Sequence, residues 1–187
     1  MFIDRVEELK ELQETLKQPK AALVIIYGKR RVGKTALLNK LQNTIYTVAR
    51  QESTKQQLAQ LTSTLAQHYN DEFLEQNPFQ NFDAFFTYLK QKEATIILDE
   101  FPYLVETNPQ LPSILQAHWD QHLQQTKTKI ILCGSSIAMM EKLLGYKSPL
   151  YGRRTHQLHL QPIPYPLTND FNPKKEAKEQ FENYAIL

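Results

Sequence analysis

The sequence predicts an α/β fold, a three-layer domain with a parallel sheet between two layers of helices. Short runs that are almost wholly apolar recur along the chain, and segments with apolar residues at helical spacing separate them. A strand that is apolar on both faces is typical of a parallel sheet covered by helices. The alternation of the two patterns indicates strands joined by helical, right-handed crossovers.

The composition is typical of a water-soluble globular domain. The chain has 187 residues, of which 41% are hydrophobic and 22% are charged. No apolar run is long enough to span a bilayer, and the first residues lack the pattern of a secretion signal. The lone Cys133 allows neither an internal disulfide nor a cysteine-based zinc site, so a cytoplasmic location is expected. A net charge of +2 is too small to indicate nucleic-acid binding.

The first part of the chain predicts two strands and two helices. Residues 4–17 are expected to form a surface helix capped by Asp4, with apolar residues at helical spacing at Val6, Leu9, Leu12 and Leu16. An apolar strand follows at 21–27, then a helix at 34–42 and a short strand at 45–48.

The middle of the chain predicts helices at 55–69, 81–90 and 110–124, with a buried strand at 94–98. The helix at 81–90 carries an apolar stripe that we interpret as core packing, formed by Phe82, Phe85, Phe86 and Leu89.

The last part predicts a strand at 129–133, a helix at 137–144 and a half-exposed strand at 156–160. A proline-rich stretch then indicates the end of the domain. We therefore expect a core at residues 1–161, followed at 162–187 by a linker and the start of a C-terminal region.

The strongest functional signal is the segment Gly28-Lys29-Arg30-Arg31-Val32-Gly33-Lys34-Thr35, which matches G-x-x-x-x-G-K-[ST]. Glycines let such a loop wrap a phosphate with its backbone N–H groups pointing inward, and the next helix adds its positive N-terminal end. Lys34 can neutralise β- and γ-phosphate oxygens, and the Thr35 hydroxyl can bind Mg²⁺. The position of the loop, between an apolar strand and a helix, supports phosphate binding. Three further basic residues of the loop, Lys29, Arg30 and Arg31, either raise the electrostatic potential over the site, face a partner or are simply solvated.

Acidic residues end the strand at 94–98. Asp99 is expected to hold Mg²⁺ and Glu100 to polarise an attacking water, an arrangement typical of ATP-hydrolysing proteins with a phosphate loop. The alternative is that these carboxylates only cap the next helix.

Two serines end the strand at 129–133. Ser135 would lie between the phosphate loop and the acidic strand, where it either senses the γ-phosphate and orients water or has no such role. Ser136 is assigned to the cap of the helix that follows.

Arg153 and Arg154 precede the last strand. They are either phosphate-contacting arginines, in their own site or in that of a neighbouring molecule, or a solvated basic turn. His118 and His122 lie four residues apart on a predicted helix and are interpreted as packing or surface residues.

Taken together, four segments resemble the archaeal-type AAA+ ATPases, close to the STAND class of signalling ATPases. They are the loop at 27–35, the acidic strand running into Phe101-Pro102-Tyr103-Leu104, the strand end Cys133-Gly134-Ser135-Ser136, and residues 148–155. The resemblance covers nearly the whole chain.

The resemblance implies a P-loop NTPase fold whose five-stranded sheet has the order 5-1-4-3-2, with ATP and Mg²⁺ as cofactors. It implies Ser135 as the sensor, Arg153 as the finger and the segment from Phe2 to Arg5 against the adenine. The expected nucleotide-binding set is Gly28, Lys29, Arg30, Arg31, Val32, Gly33, Lys34, Thr35 and Ala36. A helical lid and a winged-helix-like domain are expected to follow, and the chain ends where the lid would begin.

The leading hypothesis is an ATP-hydrolysing core that works as a conformational switch. The alternatives are a nucleotide-binding regulatory module with little hydrolysis or a small-molecule kinase, which would need an acceptor pocket that the sequence does not indicate. GTP is not expected, because no N-K-x-D guanine signature occurs. Expected partners are ATP, further copies of the chain through an arginine finger, and protein or DNA through a C-terminal region. No membrane partner is expected.

Overall fold

The computed structural model describes residues 5–162. Its centre is a five-stranded sheet with the order β2-β3-β4-β1-β5, in which every pairing is parallel. The strands are β1 (Ala22–Tyr27), β2 (Ile45–Val48), β3 (Thr95–Asp99), β4 (Lys129–Gly134) and β5 (His156–His159). The predicted order 5-1-4-3-2 is the same order counted from the other edge, so the predicted fold class is confirmed.

Eight α-helices lie in the described part of the chain. They are α1 (Val6–Lys17), α2 (Lys34–Leu38), α3 (Thr54–Tyr69), α4 (Glu72–Gln76), α5 (Phe82–Lys92), α6 (Phe101–Thr107), α7 (Leu111–Gln121) and α8 (Ile137–Leu144). None of these described helices is both long and apolar enough to cross a membrane.

Alternate residues of the strands supply two separate cores. In β1, Val24 and Ile26 pack with α1 and α2, whereas Leu23 and Ile25 pack with the helices on the opposite face, from α3 to α8. The phenylalanine stripe of α5 is fully buried in the larger core, as predicted. The three layers follow because β1 and β4 are buried along their whole length and need cover on both sides.

The differences from prediction lie mainly in the helices. The helix after the phosphate loop ends at Leu38 rather than 42, and the helix predicted at 110–124 ends at Gln121 before a short 3-10 turn, Leu123–Gln125. Helices α4 and α6 were not predicted because one or two turns are too short to show apolar periodicity. Val6 is 70% exposed, so the predicted stripe of α1 begins one turn later.

Several predictions lie outside the described residues. They concern the Asp4 cap, the placement of residues 2–4 beside an adenine, and nearly all of the linker and C-terminal region expected at 162–187.

Candidate nucleotide-binding site

The carboxyl ends of four neighbouring strands meet around one cavity of about 570 Å³. Glu100 follows β3 and Ser135 follows β4, and both line it. The phosphate loop and the start of α2 line it with Arg30, Arg31, Gly33, Lys34, Thr35 and Ala36. The structure therefore brings Glu100, Ser135 and six of the nine predicted phosphate-loop residues to one cavity. The predicted residues that do not line it are Gly28, Lys29, Val32, Asp99 and Arg153.

Two glycines give the loop its path. A Cβ on Gly28 would lie 2.2 Å from the carbonyl oxygen of Leu160, so the loop can leave β1 beside β5 only with glycine there. Gly33 has a φ of 91° and is the N-cap of α2, a left-handed conformation that costs glycine little. Between them, Val32 is buried against the α1–α2 core and anchors the loop.

Lys34 lies across the loop and is only 7% exposed. Its Nζ donates to the carbonyl oxygens of Gly28 at 2.8 Å and Lys29 at 2.7 Å. A buried ammonium needs such acceptors, because desolvation of an unpartnered charge is costly. The contacts hold the charge at the inner side of the loop, beside the cavity.

Asp99 is 4% exposed, and both of its carboxylate oxygens accept hydrogen bonds. Oδ1 accepts from the backbone N–H of Glu100 at 2.9 Å, and Oδ2 accepts from the hydroxyl of Tyr46 at 2.5 Å. Burial, followed by the hydrogen bond to Asp99, raises the pKa of Tyr46, while a hydrogen bond from Thr35 acts in the opposite direction. The hydroxyl of Thr35 and the carboxylate of Asp99 are both oxygen ligands of the kind that suits Mg²⁺.

Cys133 is buried beside this group. Burial, together with the nearby carboxylate of Asp99, raises the pKa of the thiol well above its usual value. Its side chain is fully buried in β4, where it packs as a small apolar residue.

Glu100 has an unusual backbone and a fixed side chain. Its φ of 51° is in the left-handed region, which is uncommon for residues other than glycine. Its Oε2 accepts from the Ser135 hydroxyl at 3.0 Å and from the Ser135 backbone N–H at 3.2 Å. Glu100 makes no side-chain cap bond to α6, which argues against the alternative of simple helix capping. Ser136 occupies the N-cap position of α8 as predicted, but its side chain makes no cap hydrogen bond.

Arg153 lies at the other end of the sheet. The turn that carries it precedes β5, and Thr155 donates its backbone N–H to the carbonyl of Leu23, near the start of β1. Gly28 lies five positions beyond Leu23 along β1, a distance of about 16 Å. The guanidinium forms a two-pronged pair with Asp120, at 2.8 Å from Nε and 2.6 Å from Nη2. These hydrogen bonds lower the pKa of the Asp120 carboxyl. Arg154 is in the same turn and donates to the carbonyl of Leu144 at 3.4 Å.

Sequence reasoning did not assign a role to Arg50 or Tyr103, which line the cavity, or to Tyr46, which donates a hydrogen bond to Asp99. Arg50 could have been found from its position two residues after a predicted strand, where site residues gather. Nothing in the sequence distinguishes Tyr46 from a packing residue. His118, interpreted as a packing or surface residue, does pack on Phe86, and its Nε2 also lies 3.1 Å from Oδ1 of Asp83.

A family model described as an ATPase domain predominantly from Archaea matches residues 2–184. An uncharacterised protein of Methanocaldococcus jannaschii is 41% identical over 190 residues, which cover 100% of this chain and 42% of that protein. An uncharacterised ATP-binding protein of the same organism is 52% identical over 40 residues, covering 21% of this chain and 68% of that protein. The match to the first of these two proteins covers the whole of this chain. The chain nevertheless spans less than half the length of that relative.

Two solved structures are similar in fold. A Walker-type ATPase of Pyrococcus abyssi has a TM-score of 0.68 at 22% identity, covering 100% of this chain and 63% of that chain. The ORC1 protein of Aeropyrum pernix, in complex with DNA, has a TM-score of 0.61 at 19% identity, covering 98% of this chain and 50% of that chain. At these identities the likeness shows the fold alone.

Proposed function

This chain belongs to the family of ATPase domains found predominantly in Archaea, and we propose that it is the ATP-binding and magnesium-dependent ATP-hydrolysing core of a conformational switch. The observation that carries the proposal is the convergence of Lys34, Glu100 and Ser135 at one cavity. They come from three separate segments of the chain, and all three follow the carboxyl ends of parallel strands.

Binding begins with the phosphate loop. Its backbone N–H groups and the start of α2 attract the triphosphate, and the ammonium of Lys34 exchanges its loop carbonyl partners for phosphate oxygens. Thr35 and Asp99 are the residues that would hold Mg²⁺, which supplies charge neutralisation of the phosphate oxygens. Arg30 and Arg31 add positive charge at the rim of the cavity.

Hydrolysis requires a water positioned and polarised beside the terminal phosphate. Glu100 is the candidate base, because its carboxylate lines the cavity at the end of the strand next to β4. Ser135 holds one oxygen of that carboxylate through two donors and so sets its direction. The hydrogen bonds between Glu100 and Ser135 also suggest how the site would act as a conformational switch. Glu100 is the N-cap of α6, and Ser135 immediately precedes the N-cap of α8. Any change at the terminal phosphate would thus be passed to two helices.

Calorimetry with ATP and GTP, each with and without Mg²⁺, tests the binding step. We expect magnesium-dependent ATP binding by the wild type and at least about a tenfold loss in Lys34→Ala, because a charge-assisted phosphate contact disappears. Lys90→Ala removes an equal charge from an exposed position on α5 and should bind like the wild type. Equal affinity of Lys34→Ala and the wild type would refute the proposed phosphate site.

Turnover of Glu100→Gln tests the hydrolysis step. The variant should bind ATP normally and lose roughly 100-fold or more in kcat, the usual cost of removing a general base. Glu106→Gln, an exposed position on the same helix α6, is the matched control and should keep wild-type turnover. Unchanged turnover in Glu100→Gln would show that Glu100 does not orient the water.

A nucleotide-binding module with little hydrolysis is the second candidate. It is favoured by the fact that both donors of Ser135 hold the Glu100 carboxylate and draw it towards β4. Tight, magnesium-dependent ATP binding combined with equally slow turnover in the wild type and in Glu100→Gln would favour this candidate.

We propose that protein or DNA partners contact regions outside this core. The A. pernix ORC1 structure, of which the chain covers 50%, contains DNA, whereas this chain has a net charge of only +2. DNA binding by this chain alone should therefore be weak and salt-sensitive.

A further inference from the structure

The side chain of Tyr46 contacts one of the two residues to which the proposed function assigns Mg²⁺. Its hydroxyl donates to Oδ2 of Asp99 at 2.5 Å. Asp99 ends β3, directly before the candidate base Glu100, so this contact lies at the carboxyl edge of the sheet.

The fold fixes the place of this tyrosine. Strand β2 alternates, so that Ile45 faces the larger core while Tyr46 faces the α1–α2 side of the sheet and packs there. Val48 of β2 lies opposite Asp99 in the parallel register, with Tyr46 two residues earlier. The ring is held by packing, and its hydroxyl reaches Asp99 diagonally across the strand pair.

The carboxylate of Asp99 depends on its donors because it is almost fully buried. A buried carboxylate is costly unless hydrogen bonds replace its lost hydration. Here the backbone N–H of Glu100 holds Oδ1 and Tyr46 holds Oδ2. Each oxygen keeps a further lone pair, so these bonds direct the carboxylate without occupying it completely.

We propose that Tyr46 is a positioning residue of the magnesium site, which orients the Asp99 carboxylate so that nucleotide binding gains affinity from Mg²⁺. This inference rests on the proposed function of the same site. Groups that orient metal-binding carboxylates commonly contribute roughly 10- to 100-fold to metal affinity.

The chain contains a matched tyrosine–aspartate pair far from the site. Tyr88 on α5 donates to Oδ2 of Asp71 at 2.8 Å, beside α4. Replacing either tyrosine by phenylalanine removes one hydroxyl and one hydrogen bond to a carboxylate. Tyr88→Phe therefore controls for the structural cost of such a change.

The test measures ATP affinity by calorimetry in Mg²⁺ and in EDTA, for the wild type, Tyr46→Phe, Tyr88→Phe and Asp99→Asn. The ratio of the two dissociation constants isolates the contribution of Mg²⁺. Tyr46→Phe should reduce this ratio by about tenfold while its affinity in EDTA stays near the wild-type value. Tyr88→Phe should keep the wild-type ratio, and Asp99→Asn should lose it.

The outcomes separate the inference from the function on which it rests. If Asp99→Asn loses the magnesium effect and Tyr46→Phe keeps it, Tyr46 has only a structural role and the inference is wrong. An equal loss of Tyr46→Phe affinity in Mg²⁺ and in EDTA leads to the same conclusion. Absence of any magnesium effect in the wild type would overturn the proposed function and the inference together.

A second measurement does not depend on the folding of Tyr46→Phe. In the wild type, Mg²⁺ added to the ATP complex should change the near-UV absorption of tyrosine, because a cation then lies beside the Tyr46–Asp99 pair. The same change should occur in Tyr88→Phe. Identical tyrosine spectra before and after Mg²⁺ addition, in a sample where calorimetry detects the magnesium effect, would contradict the inference.

Discussion

Arg50 is a loosely paired cation at the cavity wall. Its side chain is 71% exposed, and its ion pair with Glu52 is 4.0 Å long. Arg153, by comparison, is held by two short bonds to one carboxylate. Arg50 also follows the strand that lies beside Asp99, so its guanidinium is available to a terminal phosphate at the same edge of the sheet.

We predict that Arg50→Gln weakens ATP binding about two- to fivefold and ADP binding less. ATP carries the additional negative charge at its terminal phosphate, and solvent screening keeps the effect of an exposed arginine small. Calorimetry with both nucleotides measures the difference, and raising the salt concentration should reduce it. Lys90→Gln, with the same change of charge on α5, is the control. Equal losses for ATP and ADP would exclude a specific contact between Arg50 and the terminal phosphate.

At the scale of elements, a buried glutamine of α3 holds the wall of the site together. Gln57 is 2% exposed. Its Nε2 donates to the carbonyl oxygens of Arg50 at 3.0 Å and Tyr103 at 3.1 Å, and its Oε1 accepts from Thr107 at 2.8 Å. One side chain thus ties α3 to the segment after β2 and to α6, the helix that Glu100 begins.

Replacing this residue should therefore affect both stability and binding. Gln57→Leu removes the hydrogen bonds to the carbonyls of Arg50 and Tyr103 and to the Thr107 hydroxyl, and we predict a loss of about 1–3 kcal/mol in the free energy of unfolding. ATP affinity should fall as well, because Arg50 and α6 are no longer held in place. Urea denaturation and calorimetry measure the two effects. Gln67→Leu, an exposed position on the same helix, should change neither by more than about 0.5 kcal/mol. A Gln57→Leu variant as stable as this control would contradict the structural role of Gln57.

The strands and the phosphate loop could be predicted because each depends on local sequence. Apolar runs such as Ala22–Tyr27 are buried on both faces, and the spacing of the glycine, lysine and threonine residues defines the loop. Helix α6 begins after a left-handed Glu100, a conformation that the sequence does not indicate. The roles of Tyr46 and Gln57 could not be predicted, because their partners are 53 and 46 residues away along the chain.

At the scale of the whole molecule, the two edges of the parallel sheet carry different functional residues. The carboxyl edge carries the phosphate loop, Asp99, Glu100 and Ser135, whereas the amino edge carries the turn with Arg153. The two edges are about 16 Å apart along β1. Arg153 therefore does not reach the phosphate loop of its own molecule in this arrangement, and a catalytic role for it requires a second molecule.

We predict that Arg153 acts on the site of a neighbouring copy. Arg153→Ala should then lower turnover at least tenfold, since arginine fingers contribute about 10³–10⁵ to kcat. Arg154→Ala, in the same turn, is the matched control and should have a smaller effect. Turnover per molecule of the wild type should also rise with protein concentration, because only associated molecules are active.

Mixing two inactive variants distinguishes a neighbour's arginine from a molecule's own. Arg153→Ala keeps its Glu100, and Glu100→Gln keeps its Arg153, so an interface between them contains one complete site. The mixture should therefore hydrolyse ATP faster than the sum of the two variants measured alone. If it does not, and Arg153→Ala has the same turnover as the wild type, then the pair with Asp120 is a structural contact at the amino edge of the sheet, and Arg153 has no part in hydrolysis.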